Sequence, residues 1–230
     1  MRHPTKTTTT ATTVTNAVIT FIAFPAIMVT NPMPAASAVV DPELRVVLRT
    51  YETSAALGDL SPALAAAAAI LEDAGIAVTW VSCDVVFVQR DDSACLAPLA
   101  ANELAIRFVR LPPHPAEPDV VTLGDSFIDT RLRTGSLATI YVNRVATLAG
   151  RCGMDVQTLL ARAMAHEIGH LLLGTSAHAS SGLMRAAWSQ AALRRERADD
   201  WRFTPRDGQA MREAVRARSA RLMAAAKIGE

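Results

Sequence analysis

Charge of one sign is what this sequence most clearly lacks. Across 230 residues, 23 Lys and Arg stand against 22 Asp and Glu, a formal net charge of +1. A nucleic-acid partner is therefore not expected, because no excess of cations exists to neutralise phosphates. Arginine does gather late, at Arg194, Arg195 and Arg197 and again at Arg212, Arg216, Arg218 and Arg221. Alanines and acids interleave with them, as on solvated helix faces. Cysteine is scarce: Cys83, Cys95 and Cys152 are the three in the chain. None belongs to a C-x-x-C pair, which argues against a thiolate zinc site or a dithiol redox motif. In an oxidising compartment Cys83 and Cys95 could close a short loop and leave Cys152 single. Three buried thiols is the other reading, and the Cα separation decides between them. Repeats are missing, and low complexity is confined to a Thr-rich stretch near the N-terminus. Half of the residues are hydrophobic and a fifth charged, enough for a real core and too apolar for a disordered chain.

Long apolar runs are also missing after the N-terminal segment, so no later part of the chain has the composition to span a bilayer. The N-terminal segment itself has the layout of an export signal. Arg2, His3 and Lys6 give a weakly basic start, Ala17 to Val29 an apolar run, and Ala36-Ser37-Ala38 an A-x-A cleavage site. A retained anchor is the alternative. Pro25, Pro32 and Pro34 count against it, as does a run well short of the ~20 residues a spanning helix needs. The expectation is a signal peptide over residues 1–38, cleavage after Ala38, and a secreted or extracytoplasmic mature chain free of the membrane. Residues 39–230 then form one domain.

Along that domain, Leu44 to Thr50 has the β-branched content of a strand. Ser61-Pro62 marks a helix start with Ser61 as N-cap, running to Asp73 and stopped by Gly75. Ile76 to Ser82 is a second strand, which Val85 to Gln89 continues beyond a kink. Leu104 to Leu111 alternates, with Leu104, Ile106 and Phe108 on one side. Pro112, Pro113, Pro115 and Pro118 make a rigid loop holding a surface His114. Val120 to Leu123 is a short strand and Leu137 to Val142 a longer one. Helical periodicity returns with Asp155 as N-cap and an apolar stripe of Leu159, Leu160, Met164, Ile168, Leu171 and Leu172, ended by Gly174. Another helix begins near Ala186 or Ser189. A last one opens at Thr204-Pro205-Arg206-Asp207, a capping Thr with Pro at the first helical position and an acid after it. The order of strand, helix, several strands and then helices predicts an α+β fold.

Histidine carries the chemistry. Of five in the chain, His166, His170 and His178 fall within thirteen residues. Residues four apart on a helix share a face, with Cβ atoms about 5–6 Å apart, so His166 and His170 can converge on one ion. Glu167, about 100° further round, leans over the ion's open side without being a ligand. That is the H-E-x-x-H arrangement of zinc hydrolases, in which the carboxylate takes a proton from the water at the metal. A third ligand is needed. On a continued helix His178 would lie about 12 Å beyond His170, so the chain must double back, and Gly174 stands where that is easiest. Glu196, Asp199 and Asp200 are the other candidates for the third place. Imidazole ligands in a tetrahedral set point to Zn²⁺ as cofactor.

His166-Glu167-Ile168-Gly169-His170, Gly174, His178 and the following Gly182-Leu183-Met184 resemble the metzincin clan of zinc metallopeptidases, whose pattern is H-E-x-x-H-x-x-G-x-x-H with a methionine turn. In this chain Gly174 follows His170 by four residues instead of three, and His178 follows Gly174 by four. No Tyr stands two positions after Met184. The resemblance implies His166, His170 and His178 as metal ligands and Glu167 as general base. It further implies Met184 as the turn residue beneath the metal, where a plain core methionine is the alternative. The implied fold is a twisted mixed sheet over an N-terminal helix, with an active-site helix and C-terminal helices, a zincin-like catalytic domain over 39–230. The implied activity is hydrolysis of peptide bonds in a peptide or protein substrate lying extended along an edge strand, with Val120 to Gly124 the first place to look. A zinc-dependent amidase and a non-catalytic zinc-binding module are the rival classes. Trp188, Trp201 and Phe203 are expected to be core or helix-packing residues.

Overall fold

The computed structural model describes residues 44–52, 58–83, 93–111, 121–195 and 197–228. The signal segment with its cleavage site, the strand continuation at 85–89, the proline loop with His114, and Val120 and Glu196 lie outside the described residues.

One five-stranded sheet organises the domain: β1 (Arg45–Glu52), β2 (Ala77–Ser82), β3 (Glu103–Val109), β4 (Gly124–Asp129) and β5 (Thr134–Tyr141). The order is β2-β1-β3-β5-β4, parallel throughout except for β4, which runs antiparallel to β5 at one edge. The helices are α1 (Ser61–Asp73), α2 (Ser93–Leu96), α3 (Val142–Cys152), α4 (Val156–Leu173), α5 (Gln190–Arg195) and α6 (Pro205–Ile228). Alternation along the strands puts Val46 and Leu48 of β1, Leu104, Ile106 and Phe108 of β3, and Ala138 and Ile140 of β5 in the core. Against these lie Leu71 of α1 and Leu159, Met164, Ile168, Leu171 and Leu172 of α4. The fold is α+β, as the element order predicts.

Helix α4 is buried on more sides than its leucine stripe suggests. Ala161, Ala163, Ala165 and Gly169 are buried as well, so it runs through the middle of the domain, packed by β4, β5, α1, α3 and α6. Its small residues let those neighbours approach closely. Gly169 is the tightest case, since a Cβ there would stand 2.6 Å from Met184 Sδ and 2.8 Å from Phe203.

Three expectations need correction. Ser61 is not the N-cap of α1; Leu60 holds that position, and Asp59 Oδ1 accepts from the Ser61 N–H at 2.9 Å. A carboxylate acceptor two residues upstream draws Ser61 into the first turn, where Pro62 is still tolerated. The strand expected at Val120 to Leu123 lies later, over Gly124–Asp129. Its sequence, G-D-S-F-I-D, has little strand propensity, and pairing with β5 makes it a strand. Helix α3 goes unpredicted altogether. It follows β5 without a loop, has no side-chain N-cap, and begins on Val142, a residue the strand expectation had absorbed. Val142, Val145, Ala149 and Cys152 are its buried face.

Other expectations hold. Ser189 Oγ accepts from Ala192 N at the start of α5, and Thr204 and Asp207 exchange bonds at the start of α6. Cys83 and Cys95 are joined by a disulfide, and Cys152 is a buried free thiol.

Candidate metal centre

The centre is built on α4. Asp155 Oδ2 accepts from Thr158 N at 2.7 Å and from its hydroxyl at 2.8 Å, closing the first turn. Three turns on, His166 and His170 share a face, with ring centroids 4.7 Å apart. His166 Nδ1 lies 2.8 Å from the Leu183 carbonyl, and His170 Nδ1 lies 2.8 Å from the Thr175 carbonyl. A carbonyl only accepts, so each Nδ1 carries the proton and each Nε2 presents a lone pair. Those two Nε2 atoms face each other at 3.1 Å. Two lone pairs at that distance repel unless a cation or a proton lies between them.

The third histidine arrives by reversal. Gly174 ends α4 at φ 61°, and a Cβ there would lie 2.1 Å from the Arg133 carbonyl oxygen, so a side chain is excluded on two counts. The returning segment is pinned by Ala179 N donating to Met184 O at 2.8 Å. His178 then stands with its ring centroid 5.4 Å from that of His166 and 4.8 Å from that of His170. One ligand atom from each of the three lies within 4.8 Å of the others. In a tetrahedral zinc site with Zn–N of about 2.0–2.1 Å, neighbouring nitrogens are about 3.3 Å apart. The His166–His170 pair has nearly that spacing at 3.1 Å, and His178 brings a third nitrogen within 4.8 Å. The donor set therefore fits a zinc ion.

Electrostatics agree with that fit. Burial pushes the His166 imidazolium down to about 4, with His170 and His178 adding to the effect, and burial lowers His170 too. Both rings are therefore neutral at pH 7, as metal ligands must be.

Glu167 faces the other way, toward β4, and is 7% exposed. Ser126 Oγ donates to its Oε2 at 2.6 Å and also reaches the Glu167 carbonyl at 3.0 Å. Burial raises the Glu167 carboxyl to about 7 in the metal-free protein; the Ser126 bond opposes this and Asp125 adds to it. Above the three histidines and Glu167 opens a cleft of about 660 Å³. Leu123, Gly124 and Ser126 form one wall, and the segment from Arg185 to Gln190 the other.

Met184 is buried beneath α4 against Gly169, between the two helical histidines. Trp201 is core, and Phe203 packs on the same glycine, as expected. Trp188 packs against the core, edge-on to Trp201 at 5.4 Å, and has a second role besides. It is half-buried in the cleft wall, edge-on to His166 at 5.5 Å, and its Nε1 donates to the same Leu183 carbonyl at 3.4 Å. Asp200 pairs with Arg185 at 3.4 Å, and neither it nor Asp199 joins the three-histidine group. Sequence reasoning missed Ser126 and the two carbonyls behind the imidazoles, and it named Gly124 only as the end of a substrate-binding segment and Trp188 only as a packing residue. The serine and glycine belong to a strand that the sequence conceals, and a carbonyl has no residue identity to read.

No protein-family model and no curated protein matches the sequence. Among solved structures, the chain is similar to archaemetzincin from Methanopyrus kandleri, at 15% identity and a TM-score of 0.50, covering 77% of this chain and 99% of that one. It is also similar to a zinc-dependent peptidase from Methanocorpusculum labreanum, at 15% identity and a TM-score of 0.45, covering 72% and 99%. With archaemetzincin the chain shares its fold, a mixed sheet with a central helix among α+β elements.

Proposed function

We propose that this chain is a zinc-dependent metallopeptidase that hydrolyses peptide bonds. The observation that carries this reading is the pair of bare Nε2 atoms facing each other at 3.1 Å, joined by His178 on the floor of an open cleft. A purely structural zinc site is usually a closed set of four ligands rich in Cys. Here three imidazoles converge beside a buried carboxylate that is not among them. The fold shared with archaemetzincin supports the same reading.

His166, His170 and His178 would hold the ion, and the Leu183 and Thr175 carbonyls would fix the first two rings in the ligating tautomer. Zinc supplies Lewis acidity, making water a nucleophile near neutral pH and polarising the scissile carbonyl. Glu167 takes the proton from the attacking water and returns it to the departing amine. Met184 serves as the turn residue supporting α4 from below. Among the described residues no strand pairs with the outer side of β4, which would offer that side to an extended substrate.

Residues 1–38 act in this reading as an export signal cleaved after Ala38. The Cys83–Cys95 disulfide supports an oxidising destination. N-terminal sequencing of the exported chain tests it, with Val39 the expected first residue.

The activity test pairs metal analysis with peptide cleavage. Purified protein should bind one zinc, cleave peptides, and lose cleavage to a chelator. Glu167→Gln should keep zinc and lose at least about 100-fold in turnover, the usual scale for a removed acid–base group. Hydrolysis of small amides with no cleavage of any peptide would replace the peptidase reading with an amidase one.

A further inference from the structure

Glu167 is held from the edge strand, and the reaction just described leaves that contact without a role. We propose that Ser126, with Gly124 beside it, is a positioning residue whose hydroxyl holds the Glu167 carboxylate in one orientation in the cleft that the three histidines also line. What the carboxylate does rests on the metallopeptidase reading; how it is held does not.

The register of β4 sets up the contact. Gly124 pairs with Ile140 and Ser126 with Ala138, and both partners are fully buried on the sheet face that α4 covers. Gly124 and Ser126 therefore project toward α4, while Asp125 and Phe127 project the other way. A serine hydroxyl has one hydrogen to donate. At 2.6 Å from Oε2 and 3.0 Å from the carbonyl of the same residue, Ser126 Oγ shares that hydrogen between the two acceptors, with the shorter contact on the carboxylate.

Gly124 completes the seat. A Cβ there would lie 2.8 Å from Glu167 Cγ and 3.0 Å from Oε1, with the Thr139 carbonyl only 2.7 Å away on the other side. Any side chain at 124 would thus push the carboxylate out of place. Two alternate positions of one strand divide the task, one tethering Oε2 and the other leaving room for Oε1. Proton transfer needs heavy atoms within about 2.6–3.2 Å, so the orientation of a long, rotatable acid matters directly to turnover.

The experiment compares the full chain with Ser126→Ala, Ser126→Thr and Gly124→Ala. Ser126→Ala should keep zinc stoichiometry and chelator-competition affinity, keep KM for a peptide, and lower kcat by about 10- to 100-fold, the scale of a slightly misplaced catalytic group. Ser126→Thr, which keeps the hydroxyl and suits a strand, should restore most of that loss. Gly124→Ala should lower kcat as Ser126→Ala does. Crystal structures of the metal-free wild type and Ser126→Ala should show the carboxylate turned away in the variant on an unmoved main chain.

An unchanged kcat in Ser126→Ala, a Ser126→Thr variant as slow as the alanine, or a Glu167 that stays in place without the hydroxyl would each overturn the proposal. Should the carboxylate turn away in Ser126→Ala while wild type cleaves no peptide with zinc bound, the seat stands and the metallopeptidase reading falls.

Discussion

The balance of proton affinities around the imidazoles is decided by single residues. Glu167 is raised from an ordinary carboxyl toward about 7 by burial, so the folded metal-free chain binds a proton that the unfolded chain releases near 4.5. Its contribution to stability is then fully present below about 4.5 and lost as the pH rises through 7. Glu167→Gln removes that titration and leaves the opposite one of His166 in place. The stability of metal-free wild type minus that of Glu167→Gln should therefore fall by roughly 3 kcal/mol between pH 4.5 and 8. Urea unfolding at several pH values measures it, and a difference that stays flat would contradict the buried, proton-hungry carboxyl. His178 makes a separate case, being the exposed member of the three histidines. His178→Ala should weaken zinc binding in chelator competition without abolishing it, because the two helical rings are oriented by carbonyls that do not depend on residue 178.

At the scale of elements, the helix that carries His166 and His170 was legible, and two of its neighbours, β4 and α3, were not. Asp155, the apolar stripe and Gly174 mark both ends of α4 by local chemistry: a side-chain cap and a residue free to take positive φ. The same chemistry yields a contrast between two glycines. Gly174→Ala meets both the left-handed backbone and the Arg133 carbonyl, so its cost should run to several kcal/mol, beyond the ~1 kcal/mol of conformational strain alone. Zinc affinity should fall with it, because the return of His178 begins there. Gly150 in α3 has an ordinary helical backbone with nothing within 4 Å of where an added methyl would sit, so Gly150→Ala should stabilise by about 0.5–1 kcal/mol and leave zinc binding unchanged. Thermal melts with and without zinc check the pair. Strand β4 and helix α3 escaped notice for the opposite reason to α4. Helix α3 has no side-chain N-cap, only Gly153 closing its C-terminus at φ 65°, and a run holding a glycine and two aspartates becomes a strand through its partner.

Across the described residues, the candidate metal centre and the disulfide stand toward opposite edges of the sheet. The bridge leaves from Cys83 at the end of β2, one edge strand, while Ser126 and Gly124 belong to β4, the other. Reducing Cys83–Cys95 should cost about 2–4 kcal/mol of stability through the freedom returned to the unfolded chain, with zinc affinity unaltered. A loss of zinc on reduction would show that the two edges are coupled after all. Sequence by itself determined the α+β class, the ends of α4, and the grouping of three histidines with one glutamate, because helical spacing and capping act over a few residues. Only the tertiary structure decided which carbonyls orient the rings, that Trp188 walls the cleft, and that a serine from the edge strand reaches Glu167. Such contacts join residues some forty positions apart or rest on main-chain atoms, and neither leaves a local pattern to read.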